Sequence, residues 1–496
     1  MICPTCKSDN LKTHAANPPR WICGDCSKTT KNPLDGYQFP VVDKTSDRLV
    51  ITWAQNATAP HASTLRTLKQ YCKHNKAQLL VIPGRYRNAT SVWTKAQEDQ
   101  DWWDKELTPH LLGHELELNR NLVVGGDVRL TPTAANPLQG MKTVSGHKSY
   151  IIGHPQIAFE TVATPQSKLA KIVTTTGAIT KMNYSDTTAG KKGEFHHELG
   201  ATLVELDGSK FHIRQLIANG HGVIYDLDKR YDGKTIKSKQ RAEFFVSGDF
   251  HGKYLDEQVK SAWWTGKNSL FNLIKPKAQV FHDVFDGYFG SHHHRHDPFL
   301  GVKKHFKGEN DGQNELIDTL QKLDDCLLAD KNYITKSNHD EHLDRWLKET
   351  DWRKDPANAE FYLETALEIV KVIKYGGRFD PLEYWANKTG LANKAIFLKR
   401  SDVLSIKDYI LSMHGDKGPN GSRGGIKGFN SIGSLSITAH RHGPVKEKGA
   451  WGVGISCIYG LEYAIGSPSS WMQTGVIGYA NGKCSLISCI DGSYRA

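Results

Sequence analysis

The apolar positions of this chain fall into short runs separated by polar turns, and their spacing changes with position. Leu49 to Ala54 and Gln78 to Pro83 are apolar runs of strand length, and Leu65, Leu68 and Cys72 recur between them at helical spacing. That pattern predicts strand, helix, strand. Further runs at Leu122 to Val124 and Tyr150 to Ile152 extend an α/β layer, and the stretch to about residue 240 mixes short strand-like segments with polar turns. From about Glu243 several short apolar runs each end in a cluster of Asp, Asn or His. Leu316, Leu320, Leu323 and Leu327 form a helical stripe, as do Leu363, Leu367 and Val370, and both stripes are expected to pack into a core. No apolar run approaches the roughly 18 residues that a membrane span needs.

Ser27 to Asp47 is mostly polar, carries Pro33, Gly36 and Pro40, and reads as a linker. The resulting division is residues 1–30, a linker over 31–47, an α/β accessory domain over 48–240, and a chemistry-bearing domain over 241–496. The 496 residues have room for about three domains, and 38% hydrophobic with 24% charged residues describes a globular chain. Lys plus Arg is 64 against 53 Asp plus Glu, a net charge of +11. This balance suggests a polyanionic partner, nucleic acid first, although it also fits a merely soluble surface. Met1 to Pro4 shows neither a basic nor an apolar signal region, so a cytoplasmic location is the expectation.

Four of the nine cysteines form two pairs, Cys3-x-x-Cys6 and Cys23-x-x-Cys26. Two such knuckles can hold one structural Zn²⁺ tetrahedrally, and the metal then supplies folding energy that so short a segment cannot get from a core. A zinc ribbon of this kind binds nucleic acid, binds protein, or only caps a neighbour. Cys72, Cys326, Cys457, Cys484 and Cys489 are scattered and are expected to pack as small apolar residues in a reducing compartment.

The chemistry-bearing clusters come in series. Phe244 to Val246 runs into Asp249-x-His251; Val280 and Phe281 precede Asp283-x-x-Asp286; Tyr333 and Ile334 precede Asn338-His339-Asp340. His414-Gly415 follows Ile410 and Leu411, and His440-x-His442 follows Ile437. A single Asp or His at a strand end is commonly a capped turn. Five in this order resemble the calcineurin-like metallophosphoesterase family, over about residues 243 to 445.

The resemblance implies a two-sheet sandwich flanked by helices, with the ligands on loops at one edge of the sheets. It assigns Asp249, His251, Asp283 and His442 to one divalent cation and Asp283, Asn338, His414 and His440 to a second, with Asp283 shared. Paired cations about 3.5–4 Å apart polarise phosphorus and activate water, and the mixed nitrogen and oxygen donors favour Mn²⁺ while accepting Zn²⁺ or Fe. His339 is implied as the non-ligand that stabilises the phosphorane or protonates the leaving oxygen, with Asp340 orienting its imidazole.

Asp340 in place of Glu, and no Arg after the second acid, resemble the DNA-repair exonucleases of the SbcD type more than the protein phosphatases. Ser337 and His282 stand where the family usually has Gly. Residues 46–240 ahead of the core give a layout that resembles phage nucleases of this family, including the early host-DNA-degrading proteins of T5-like phages. The expected activity is therefore a metal-dependent DNA nuclease. A phosphatase or small-nucleotide phosphodiesterase is the alternative, and a zinc-ribbon DNA-binding regulator with an inert catalytic domain is another. The glycine-rich loop Lys417 to Lys427, with Arg423, allows close approach to phosphate but also reads as an ordinary flexible loop. There is no Walker-type P-loop, so an ATPase would have to be another chain. The oligomeric state is left open, a homo-oligomer being one option.

Overall fold

The computed structural model describes residues 46–86, 103–291, 294 and 297–496, together with 8, 10–14, 20–23, 25, 27 and 29–30. The chain is mixed α/β and divides into two compact units. One comprises Met1–Val162, Lys171–Ser238 and Lys483–Ser485; the other comprises Ala163–Ala170, Lys239–Gly482 and Leu486–Ala496.

In the first unit the strand–helix–strand expectation is met. Arg48–Gln55 and Gln78–Gly84 pair in parallel from Leu49 opposite Gln78, and the Ala62–Asn75 helix connects them. The helix buries Leu65, Leu68, Tyr71 and Cys72. It ends at Lys76 in the left-handed region, which lets the Ala77 amide return to the Cys72 carbonyl. Gly200–Asp207 and Lys210–Ile217 add an antiparallel hairpin to the same sheet. Beneath its apolar core sits a charged one. Buried Arg214 reaches Glu205 at 2.5 Å and both oxygens of Asp226 at 2.8 and 3.0 Å, while the Tyr71 hydroxyl donates to Asp226 at 2.7 Å. Arg48 adds a second cation at 3.0 Å from Glu205, so each buried charge has more than one polar partner, which is what lets a buried ion network be tolerated.

Leu11–His14, Arg20–Cys23 and Thr29–Thr30 form a small antiparallel sheet. Of the four proposed zinc ligands, Cys3, Cys6 and Cys26 lie outside the described residues, and Cys23 is described only as the last residue of its strand. The other five cysteines are free and buried, as small apolar residues would be.

The second unit is built on a sheet ordered Ala395–Leu398, Lys331–Thr335, Ala278–His282, Phe244–Val246, Thr474–Gly478. The first four strands run parallel. The two central strands, Phe244–Val246 and Ala278–His282, are buried along their whole length, whereas Lys331–Thr335 and Ala395–Leu398 towards the edge are partly exposed. The C-terminal ends of all four point the same way, and three of the five clusters follow directly from them. The other two clusters belong to a sheet ordered Ser405–Ile406, Tyr409–Ile410, Leu435–Thr438, Ala450–Gly452, Val445–Glu447.

Helix packing divides the two leucine stripes. Leu316, Leu320 and Leu323 of the Gly312–Asp324 helix, and Leu327 after it, are buried. Leu363, Leu367 and Val370 are not: they are 46, 54 and 62% exposed. The Ala359–Lys374 helix buries Phe361 and Thr365 instead. Its sequence is apolar around much of its circumference, so periodicity alone pointed to the wrong face. Among the described residues no helix is long and apolar enough to cross a membrane.

Two substitutions separate these roles. Arg214→Ala takes the guanidinium from buried Asp226, while Glu205 keeps Arg48 at 3.0 Å, and should cost about 3–5 kcal/mol, whereas Leu367→Ser should stay within about 0.5 kcal/mol. Urea unfolding followed by circular dichroism measures both.

Candidate metal centre

Each cluster sits where a strand gives way to a loop, and the loops are tied to one another by backbone. Beyond the strand ends the two loops stay tied together: Phe250, His251 and Gly252 donate to the carbonyls of His282, Asp283 and Val284 at 2.8, 2.7 and 2.9 Å. This sets Asp249 and His251 against Asp283. Gly248 makes the turn possible, since a Cβ there would stand 2.4 Å from the Ile455 backbone. The fourth and fifth clusters are joined by the Ala439 amide on the His414 carbonyl at 2.6 Å, and the His440 amide donates to Asp249 Oδ2 at 3.0 Å.

The side chains converge accordingly. Asp249, His251, Asp283 and His442 bring one donor atom each within 4.8 Å of one another, and Asp283, His414 and His440 do the same. Asp283 belongs to both groups. His414 Nε2 lies 3.3 Å from Asp283 Oδ1 and 3.0 Å from Asn338 Oδ1. His442 Nε2 lies 3.2 Å from both Asp249 Oδ2 and His251 Nε2. Six of the seven residues that the resemblance implies as ligands fall in these two groups, and the seventh, Asn338, lies beside His414. These buried groups could hold a metal ion.

The donor set fits that role on its own chemistry. Asp249, His251 and Asp283 are 0% exposed, and Asp249 Oδ1 and Asp283 Oδ2 are buried without a hydrogen-bond partner. A buried carboxylate oxygen with no donor is costly and calls for a cation. Burial, reinforced by Asp283, pushes the Asp249 carboxyl up to about 7. Burial alone would depress His251 and His414, but the surrounding carboxylates outweigh it and lift both to about 9. The centre attracts positive charge, and protons are a poor substitute for divalent ions.

His251, Asp283, His440 and His442 all have positive φ, between 48° and 72°. Non-glycine residues rarely adopt that region, and its clustering here marks backbone strain.

A third group is formed by His251, Asp286 and His339. Asp286 sits in the second cluster, and the sequence reading gave it no role. Its carboxylate accepts from His251 Nδ1 at 2.7 Å and from the Lys253 amide at 3.0 Å. With Nδ1 committed as donor, His251 presents Nε2 to the centre, the arrangement that second-layer carboxylates give metal-binding histidines. Asp286 also lies 4.0 Å from His339 Nδ1.

Asp340 departs from its expected part. Its carboxylate accepts from the Val284, Phe285 and Ser337 amides and from the Ser337 hydroxyl, at 2.8–3.1 Å, and not from the His339 ring. Asp340 clamps the second loop to the third, and Ser337, standing where glycine was expected, supplies part of that clamp. His282 is fully buried and its ring lies 5.7 Å from that of His414; burial pushes it down to about 3, so it is neutral. His339 opens into a cavity of about 550 Å³ that Tyr254, Tyr288, Trp471 and His442 also line.

No family model matches the chain. Over 467 residues, covering 91% of this chain and 84% of the relative, it is 32% identical to Protein A1 of Escherichia phage T5. The chain belongs to the family of that phage protein. For this A1-family protein a phage relative agrees with the T5-like layout read from the sequence.

Metal binding gives the direct check. Mn²⁺ at a hundredfold excess over Kd should add about 2.7 kcal/mol per bound site to stability, seen as a rise in Tm that EDTA reverses. Asp283→Asn should lose most of that rise. An equal rise in the variant would place the binding elsewhere.

Proposed function

We propose that this A1-family protein is a divalent-metal-dependent DNA nuclease that hydrolyses phosphodiester bonds with two cations bridged by Asp283. The observation that carries the reading is the membership of Asp283 in two donor groups at once, since a single shared carboxylate is what two neighbouring cations require. Asp249, His251, Asp283 and His442 would hold one cation, and Asp283, Asn338, His414 and His440 the other. Bound there, the pair supplies Lewis-acid polarisation of the phosphoryl group and an activated water at neutral pH. Mn²⁺ suits the mixed donors.

The rest is done by the chain itself. Asp286 fixes the tautomer and orientation of His251. Asp340 is a positioning residue that holds the second and third loops in register. His339 faces the same cavity as the donors without belonging to either group that contains Asp283. It is the residue to hydrogen-bond the phosphoryl oxygens or deliver a proton to the leaving oxygen. The net charge of +11 supports a polyanionic substrate, and counter-ion release from DNA would make binding strongly salt-dependent. The aromatic residues lining the cavity also suit a small nucleotide, which keeps a nucleotide phosphodiesterase as the second reading.

Incubation of linear and closed circular DNA with protein and Mn²⁺ tests the proposal. Cleavage should occur and stop with EDTA. His339→Ala should lower the rate about 10²–10⁴-fold while metal occupancy stays that of the wild type. Intact DNA beside rapid hydrolysis of nucleotide diesters would favour the second reading.

A further inference from the structure

A second cavity, of about 800 Å³, adjoins the first: both are lined by Asn338 and His342. The donors of the metal centre, Asn338 apart, are absent from its walls, which carry six cationic residues against four acidic ones. Each acid lies within 4 Å of a cation, but the cations are shared: Lys336 lies 2.8 Å from both Asp344 and Asp380, Arg400 lies 2.9 Å from Glu341 and 2.7 Å from Asp416 outside the wall, and Arg345 lies 3.7 Å from Glu349, so the wall keeps an excess of two positive charges, six cations against four acids. That leaves Lys348, Arg378 and Lys399, which are exposed and make no ion pair within 4 Å among the described residues. They come from three separate places: the Glu341–Glu349 helix, the turn before Asp380, and the end of the Ala395–Leu398 strand.

Three unpaired cations on three elements around one cavity, with every wall carboxylate already paired, form a surface suited to phosphate. We propose that this cavity is a subsite for the non-scissile phosphates of a DNA strand whose scissile phosphate lies at the metal centre. The proposal rests on the nuclease reading and specifies how the strand is held. A strand carries phosphates on both sides of the scissile bond, and because the two cavities meet at Asn338 and His342 its neighbouring phosphates would face Lys348, Arg378 and Lys399. Lys336 and Arg400, pinned by their ion pairs, set the shape of the cavity rather than contact the strand. Phosphate contacts of this kind fix register and position without reading sequence.

The test compares the wild type, a triple variant Lys348→Ala, Arg378→Ala, Lys399→Ala, and a charge-matched control, Lys168→Ala, Lys192→Ala, Lys267→Ala, made at exposed lysines that do not line the cavity. Binding of a labelled single-stranded oligonucleotide is measured in EDTA over a range of salt concentrations, with Tm recorded for each protein. Each lost phosphate contact removes about 0.7 from the slope of log K against log salt. The triple variant should therefore show a slope shallower by about 2 and at least tenfold weaker binding at 0.1 M salt, with Tm unchanged and the control like wild type. Unchanged slope and affinity in the triple variant, an equal loss in the control, or no oligonucleotide binding by the wild type would each overturn the subsite. The nuclease reading stands or falls separately, on Mn²⁺-dependent cleavage by the wild type.

Discussion

Two carboxylates, Asp249 and Asp283, are held at 0% exposure in one centre, and no Lys or Arg is paired with either among the described residues. Burying negative charge without a counter-ion is among the most costly things a fold can do. Histidines surround it, and the carboxylates raise the proton affinity of two of them, His251 and His414, while burial lowers that of His440 and His442. Much of the second unit serves to hold this arrangement: parallel strands end together, their loops hydrogen-bond to one another, and residues at four of the candidate ligand positions take positive φ.

The strain and the glycines share one physical cause. To bring side chains from five loops onto one point, the backbones must approach more closely than side chains usually permit. Gly248 stands against the Ile455 backbone, and a Cβ at Gly454 would lie 1.9 Å from the Met472 carbonyl oxygen. Where glycine is absent, the donors themselves take left-handed conformations.

Much of this was legible in the sequence because strand-end chemistry is local. An apolar run followed by Asp-x-His or Asn-His-Asp states both the element and the donor, and the strand–helix–strand over residues 48–84 follows from spacing alone. What failed was whatever depended on partners distant in sequence. The Leu363, Leu367, Val370 stripe has helical period, but period does not say whether a face is covered. Asp340 was expected to serve its neighbour His339, yet its four hydrogen bonds go to residues 284, 285 and 337. Asp286 had a signal, its place three residues after Asp283, but its role appears only once His251 is beside it. The ions that sort the wall of the second cavity into paired and unpaired cations are likewise invisible along the chain.

The account turns on Asp283 bridging two cations, and electron paramagnetic resonance of the Mn²⁺-loaded protein tests that most directly. Two Mn²⁺ ions sharing a carboxylate give an exchange-coupled signal distinct from that of an isolated ion, and any zinc at the N-terminal cysteines is silent. The account predicts the coupled signal in the wild type and its loss in Asp283→Asn. Spectra of isolated ions alone, with metal fully bound to the wild type, would contradict it.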